Sequence, residues 1–160
     1  MDRINQILND RQYQEFLNEI ALCEKERIFC RHNMAHFLDV ARLAWIFNLE
    51  EHMGLERERI YAAALLHDIG RHLQYQEGIP HETASAKLAE PILERCGFSG
   101  EEKKEILQAI SDHRTKEIAG QASLSGILYR ADKMSRSCFG CQAESQCDWS
   151  AEKKNMMLRR

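Results

Sequence analysis

The sequence lacks any hydrophobic run long enough to cross a membrane. No segment approaches the roughly 20 consecutive apolar residues that a spanning helix needs. The first residues, from Met1 to Asn5, have no apolar core of the kind found in signal peptides. We therefore expect a cytoplasmic protein without a membrane partner.

Proline and glycine are also scarce, with two prolines and eight glycines in 160 residues. Apolar residues recur mainly at intervals of three and four rather than two, which is typical of helices that bury one face. No segment gives a comparable signal for a strand. A chain of this length fits one domain. The sequence therefore predicts an all-α, single-domain helical bundle.

A strong excess of one charge is absent too. The formal net charge is -3 with histidine neutral. Such a chain has no overall positive field of the kind that gives non-specific affinity for nucleic acids. We therefore do not expect a long nucleic acid as a partner.

Two metal-competent side chains, His67 and Asp68, end an apolar helical run over residues 62–66. Burial of an unpartnered imidazole or carboxylate is costly, so the pair implies a compensating partner such as a cation. Four more segments place a histidine or an aspartate in the buried stripe of a predicted helix, where positions i, i+3, i+4 and i+7 share one face. These residues are His36, His81, His113 and Asp132. We expect all of these side chains to meet in the core.

In this order, the segments resemble the HD-domain superfamily of metal-dependent phosphohydrolases. The matching segments are residues 36–41 (HFLDVA), 65–71 (LLHDIGR), 80–82 (PHE), 109–115 (AISDHRT) and 129–133 (YRADK). Together they cover roughly residues 30–136. The layout is most similar to the small stand-alone bacterial members related to symmetrical dinucleoside tetraphosphate hydrolases, although kinship of fold does not fix the substrate.

The resemblance implies an HD-type bundle with a metal centre in its core. It also implies cleavage of a phosphoester or phosphoanhydride, in a nucleotide or related small metabolite, by metal-activated water. The implied ligands are His36, His67, Asp68 and Asp132 for a first ion, and His81 and His113 for a second ion that shares Asp68. These ligand types suit Fe, Mn, Zn, Co or Ni. The metal, and the choice between one and two ions, stay open.

Cationic side chains near these segments are candidates for binding substrate, because arginine can hold phosphate oxygens through two hydrogen bonds. Arg71 follows Asp68 by three residues, and the resemblance gives these two residues the catalytic roles. We expect Arg71 to bind substrate as well. Further candidates for substrate binding are Arg114 and Lys133, and the nearby Lys116 and Arg136 are weaker ones.

The remaining histidines are harder to assign. His32 stands four residues before His36, and it either contacts substrate phosphate, supports a metal ligand or lies on the surface. We predict that His52 and His72 are exposed or loop histidines without a role. A loop predicted over residues 74–79 lies between two matching segments and would border the substrate entrance.

Three of the six cysteines lie near the C-terminus, namely Cys138, Cys141 and Cys147. The Cys-x-x-Cys spacing lets two thiolates meet one ion, and Cys147 can add a third. Candidates for a fourth ligand are Cys23, Cys30 and Cys96. In a reducing cytosol these thiols either form a zinc or iron–sulfur site or stay reduced and unligated, and the sequence leaves both alternatives open.

We divide the chain into an N-terminal helical segment that packs on the core (1–30), the HD domain (31–137) and a cysteine-containing tail (138–160). Two other functions stay open. One is a di-iron oxygenase of the HD superfamily, and the other is a catalytically silent, metal-dependent nucleotide-binding module. The expected partner is a small phosphorylated metabolite or nucleotide, and a homodimer is also compatible with the sequence.

Overall fold

The computed structural model describes residues 1–159, and every regular element in that range is helical. The α-helices are α1 (Asp2–Asn9), α2 (Arg11–Cys23), α3 (Met34–Glu50), α4 (Arg57–Leu66), α5 (Arg71–Glu77), α6 (His81–Arg95), α7 (Gly100–Asp112) and α8 (Leu124–Met134). Short 3-10 turns span Lys116–Ile118, Cys138–Gly140 and Glu144–Gln146. The prediction of an all-α, single-domain protein is confirmed.

Helix α4 lies at the centre of the bundle. It packs against α3 and α7, with further contacts to α1, α6 and α8. All residues from Ala62 to Leu66 are fully buried. The second half of α4 is apolar on every side, which suits such a position, and the small side chains of residues 62–64 let the neighbouring helices approach closely. The turn that follows α4 therefore begins inside the core.

The first two helices belong to the same core. Ile4, Ile7 and Tyr13 are buried and pack into the main hydrophobic cluster. Asp10 begins α2 by accepting a hydrogen bond from the backbone N–H of Tyr13 at 3.1 Å, which satisfies a donor that the helix itself leaves free. The start of the chain is thus fixed on the bundle.

No helix within residues 1–159 is both long and apolar enough to serve as a membrane span.

The prediction of a loop over residues 74–79 is wrong for most of that range. Helix α5 continues to Glu77 and ends at Gly78, whose φ of 73° is in the left-handed region that glycine adopts readily. The polar sequence of α5 resembles a loop, but contacts with α2 and α6 keep the segment helical.

A tight turn over residues 67–70 joins α4 to α5 and carries Asp68. The backbone N–H of Gly70 donates to Ser85 Oγ at 2.9 Å, so the turn lies directly against α6. A Cβ atom at residue 70 would meet the backbone nitrogen of Ser85 at 2.5 Å and Ala84 Cβ at 2.6 Å. Only glycine therefore fits at residue 70, where the turn lies against α6.

We expect Gly70→Ala to lower the free energy of unfolding by about 1–3 kcal/mol, the usual cost of forcing extra volume into a packed interior. Urea denaturation followed by circular dichroism measures this change. Gly120→Ala is the matched control, because a Cβ atom at this exposed glycine meets nothing within 4 Å. Equal stability of the two variants would contradict the close packing of the turn.

Candidate metal centre

The histidines and aspartates that the sequence singled out come together in the core. Each is supplied by a helix end or by a turn beside one: His36 in the first turn of α3, His67 and Asp68 just after α4, His81 at the start of α6, His113 just after α7 and Asp132 near the end of α8. None is more than 6% exposed. Their convergence is therefore a feature of the fold, while their role as ligands stays a prediction.

These side chains form two groups of potential ligands, and in each group the ligand atoms lie within 4.8 Å of one another. The first group contains His36, His67, Asp68 and Asp132. The second group contains Asp68, His81 and His113. Imidazole nitrogens with carboxylate oxygens suit divalent transition metals. Each group can therefore hold one ion, and Asp68 belongs to both.

The two carboxylate oxygens of Asp68 face different groups. Oδ2 lies 3.7 Å from Nε2 of His36 and 3.2 Å from Nε2 of His67. Oδ1 lies 3.1 Å from Nε2 of His81 and 3.7 Å from Nε2 of His113. This is the arrangement that a carboxylate needs to bridge two ions.

Hydrogen bonds at the far side of three imidazole rings orient their Nε2 atoms. Nδ1 of His67 and Nδ1 of His113 donate to the backbone carbonyl oxygens three residues earlier, at 2.7 and 2.6 Å. Nδ1 of His81 lies between the side-chain oxygen of Gln74 and, at 2.7 Å, Nη1 of Arg71. Because the backbone carbonyl oxygens can only accept, Nδ1 of His67 and of His113 carries a proton, and their Nε2 atoms face the centre. Such outer hydrogen bonds are typical of histidines that bind metals.

Electrostatics in the first group favour a cation. Burial alone would lower the pKa of His67, but the carboxylates of Asp68 and Asp132 outweigh burial and raise that pKa to about 10. Burial would likewise raise the pKa of Asp68, yet the surrounding histidines hold it well below its usual value. Burial lowers the pKa of His36 to about 4. The two carboxylates thus stay ionised and hold a proton on His67, which an ion would displace.

Two buried atoms of the centre lack a hydrogen-bond partner, namely Nε2 of His67 and Oδ1 of Asp68. The His67 atom lies 3.2 Å from Asp68 Oδ2, close enough for an ion pair but without the geometry of a hydrogen bond. Unpartnered polar atoms in a core are costly. A cation between the side chains would satisfy both, so the residues fit the expected metal.

His32 does not lie on the surface, since it is 5% exposed. Its backbone N–H donates to Glu24 Oε2 at 2.8 Å, and its Nδ1 is bonded to the same carboxylate. Its Nε2 lies 3.7 Å from Asp68 Oδ2. Burial would raise the pKa of Glu24, but the bonds with His32 lower it to about 2. The structure thus leaves the two alternatives of a substrate contact or support of a ligand.

Glu24 is a residue that the sequence analysis missed. It is 2% exposed and also accepts a hydrogen bond from the hydroxyl of Tyr75 at 2.7 Å. It stands at the end of α2, outside every matching segment. The sequence shows only that the residue is acidic, and nothing in it indicates that the position is buried.

The centre opens into a cavity of about 430 Å³. Six cationic side chains line it: Arg27, Arg71, Arg114, Lys133, Arg136 and Lys154. Of the cationic candidates that the sequence analysis selected for substrate binding, all but Lys116 are among them. The cavity therefore offers positive charge directly beside the carboxylates and imidazoles of the centre.

Several of these cations already contact the candidate ligands. Nη1 of Arg71 lies 2.7 Å from Nδ1 of His81, and Nζ of Lys133 donates to Asp132 Oδ2 at 2.5 Å. Arg114 differs, because its side chain is half exposed and lies 3.6 Å from Glu82. All three thus border the cavity, but Arg114 does so from its outer edge.

Arg136 lies closer to the candidate ligands than its position in the sequence suggested. Its Nη2 donates to Nε2 of His36 at 3.1 Å and lies 3.7 Å from Asp132 Oδ1. Its side chain is only 10% exposed. Arg136 therefore lies beside two members of the first group, His36 and Asp132.

The prediction for His72 is wrong. This residue is buried, stacks on Phe16 with 5.5 Å between ring centroids, and donates from Nδ1 to the carbonyl oxygen of Ile69 at 3.0 Å. It packs α5 against α2 and does not belong to either ligand group. His52 is exposed, as predicted.

The cysteines separate into two sets. Those that line the cavity are Cys30, Cys138, Cys141 and Cys147. Cys23 is exposed and Cys96 is buried in the main core, and neither lines the cavity. Of the three candidates for a fourth cysteine ligand, the structure places Cys30 beside the other three.

Comparisons with known proteins agree with this geometry. A family model described as HD domain matches residues 33–137. A crystal structure of a predicted HD superfamily hydrolase from an uncultured Thermotogales bacterium superimposes with a TM-score of 0.63 at 25% identity, covering 89% of this chain and 81% of that one. The closer likeness to dinucleoside tetraphosphate hydrolases stays a prediction.

Relatives by sequence include an uncharacterized protein of Clostridium beijerinckii, which is 47% identical over 99% of both chains. Ribonuclease Y of Oleidesulfovibrio alaskensis is 29% identical over 72% of this chain, and that of Mycoplasma mycoides is 34% identical over 61%. The match covers about 20% of the length of each ribonuclease Y.

We expect Asp68→Ala to weaken metal binding at both groups and His113→Ala to weaken it only at the second. The loss of affinity should exceed the roughly 10- to 100-fold change caused by removing a mere supporting partner of a ligand. Elemental analysis after dialysis against buffered metal measures both effects. Asp39→Ala is the control, because Asp39 is an exposed aspartate of α3. Equal metal loss in the Asp68 and His113 variants would contradict a shared carboxylate.

Proposed function

The chain belongs to the HD-domain family, and on that premise we propose that it is a metal-dependent phosphohydrolase. Its substrate would be a phosphoester or phosphoanhydride of a nucleotide or related small phosphorylated metabolite. The observation that carries the proposal is the position of Asp68, which joins two groups of ligands beside a cavity lined with cations.

Divalent ions bound there would lower the pKa of water, so that a nucleophile exists at neutral pH, and would balance phosphoryl charge. The chain's own side chains do the rest. Asp68 orients both groups through its two oxygens, and Arg71, at the cavity side of His81, is placed to hold a non-reacting phosphate oxygen. Lys133 and Arg114 offer further positive charge along the path into the cavity.

His32 supports this chemistry from the other side of Asp68. Its Nδ1 is held by Glu24, so its Nε2 is directed toward Asp68 and the cavity. When the ring is protonated, Nε2 of a histidine fixed in this way can donate to a phosphate oxygen without losing much conformational freedom. We therefore assign His32 to substrate binding next to the metal centre.

The dimensions of the cavity favour a small substrate. Its volume of about 430 Å³ lies within the range of roughly 300–1,000 Å³ that is usual for small-molecule sites. Phe29 and Trp149 also line it, and aromatic rings of this kind can stack on a nucleobase. A nucleotide therefore satisfies both the charged and the aromatic part of the wall.

A second candidate is the cleavage of a phosphodiester in RNA, which the similarity to ribonuclease Y favours. The match covers only about a fifth of those proteins, and the net charge of -3 offers no extended positive surface. A short oligoribonucleotide would suit this chain better than a long one.

The test is a screen for hydrolysis with the protein reconstituted separately with Mn, Fe, Co, Ni and Zn. The panel contains nucleoside mono-, di- and triphosphates, dinucleoside polyphosphates and a short oligoribonucleotide. We expect release of phosphate or of a nucleoside monophosphate, and its loss in Asp68→Ala. No release from any substrate with any metal would overturn the proposal, whereas cleavage of the oligoribonucleotide alone would favour the second candidate.

We expect Arg71→Ala to raise KM for the best substrate about tenfold or more, because a hydrogen bond to a charged group contributes about 1.5–3 kcal/mol. Metal content should not change. Arg42→Ala is the control, since the Arg42 side chain is 63% exposed and lies outside the cavity. Loss of bound metal in the Arg71 variant would mean that its contact with His81 supports the metal centre instead.

A further inference from the structure

One wall of the cavity carries four thiols that the proposed hydrolysis does not use. Cys30 comes from the segment between α2 and α3, while Cys138, Cys141 and Cys147 come from the chain after α8. Two irregular segments that are more than 100 residues apart in sequence thus place their cysteines on one surface. The other two cysteines of the chain, Cys23 and Cys96, lie elsewhere.

The segment after α8 has little apolar contact to hold it in place. Within residues 1–159, the main hydrophobic cluster includes nothing beyond Met134. The large apolar side chains of Phe139, Met157 and Leu158 are at least half exposed. Short irregular segments that bury so little apolar surface usually depend on a disulfide or a metal ion for a defined structure.

Polar contacts hold this segment near the cavity. Asn155 Nδ2 donates to the carbonyl oxygens of Lys133 and Arg136 at 2.7 and 3.0 Å, and the backbone of Asn155 pairs with the N–H of Phe139 at 3.1 Å. A turn closed by the Cys141 N–H and the Cys138 carbonyl, at 3.1 Å, brings the Cys-x-x-Cys pair together. The two cysteines thus lie at the two ends of a single 3-10 turn.

We propose that Cys30, Cys138, Cys141 and Cys147 bind one zinc ion, which fastens the C-terminal segment to the α2–α3 connection and completes this wall of the cavity. Zinc takes four thiolates in structural sites, and the Cys-x-x-Cys spacing is typical of such sites. This ion is separate from the histidine and aspartate groups.

The charges near the thiols suit a zinc tetrathiolate, which carries two negative charges. Arg27, Arg136 and Lys154 line the same cavity as the four cysteines. The acidic residues after α8 that line it are Asp148 and Glu144, and Glu144 pairs with Lys154 at 2.8 Å. Burial raises the pKa of the Cys30 thiol, and the positive charge of Arg136 opposes that rise. Zinc displaces thiol protons when it binds, and neighbouring cations stabilise the resulting anion.

Zinc binding has to draw the sulfur atoms closer. Within residues 1–159, their sulfur atoms do not form a group of three or more donors that all lie within 4.8 Å of one another. The surrounding backbone permits the movement, because after Met134 it forms only two single 3-10 turns and irregular chain in the part that the structure describes. Zinc should therefore also protect residues 138–155 from proteases.

Cobalt is the probe for the test, because cobalt bound to thiolates gives a sulfur-to-metal charge-transfer band that histidine and carboxylate ligands do not give. We expect this band in the full chain loaded with cobalt. It should weaken by about a quarter or more in Cys141→Ser and in Cys147→Ser, because each variant removes one of the four sulfur ligands. The matched control Cys23→Ser, at an exposed cysteine outside the cavity, should retain it.

Asp68→Ala separates this inference from the proposed hydrolysis. The variant should lose metal from the histidine and aspartate groups but keep the charge-transfer band. If the protein hydrolysed nothing, the charge-transfer band would still support the thiolate site. If the band were absent, hydrolysis would still support the hydrolase assignment.

Thiol titration of the unaltered chain covers the case in which a serine variant does not fold. Zinc should protect about four of the six thiols from a thiol reagent, and a chelator should expose them. Full reactivity with zinc present, a disulfide among these cysteines in protein purified under reducing conditions, or iron with acid-labile sulfide would overturn the single zinc site. A cobalt band of undiminished intensity in Cys141→Ser would overturn it as well.

Discussion

The burial of two carboxylates among imidazoles is the constraint on which this structure depends. Asp68 and Asp132 are 3% and 6% exposed, and a buried charge is tolerated only when partners compensate for its lost hydration. Four helix ends and one helical turn supply those partners. His67 and Asp68 directly follow the buried end of α4, and no single segment supplies all of their partners.

The sequence predicted this centre well because its residues obey a local rule. Each of the five segments carries a histidine or an aspartate at a position that the helical period assigns to the buried face, although His67, Asp68 and His113 lie in the turns just after α4 and α7. A polar residue at such a position needs a compensating partner. Five such positions in separate predicted helices indicated a common meeting point. The error at α5 had the opposite origin, since its polar composition resembled a loop while packing against α2 and α6 kept it helical and buried His72.

Residues outside any periodic pattern could not be found in this way. Glu24 is hydrogen-bonded to His32 across an irregular connection and to Tyr75, which is 51 positions away in the sequence. Arg136 is hydrogen-bonded to His36, which is 100 positions away. Nothing in the neighbouring sequence marks Glu24, whereas Arg136 was a candidate for substrate binding because it lies near Asp132, without any sign of its contact with His36. Contacts of this kind depend on the final path of the chain, so one sequence gives their residue types but not their partners.

Arg136 shows how the cations and the metal centre constrain one another. Nδ1 of His36 faces the hydroxyl of Ser135 at 3.2 Å, and that hydroxyl donates to the carbonyl oxygen of Asp132 at 2.7 Å. The hydroxyl must therefore accept from Nδ1, so the lone pair of His36 is on Nε2, where Arg136 donates. One lone pair cannot serve a guanidinium and a metal ion together. An ion bound by His36 thus releases Arg136, and the freed charge already borders the cavity that the proposed substrate would enter.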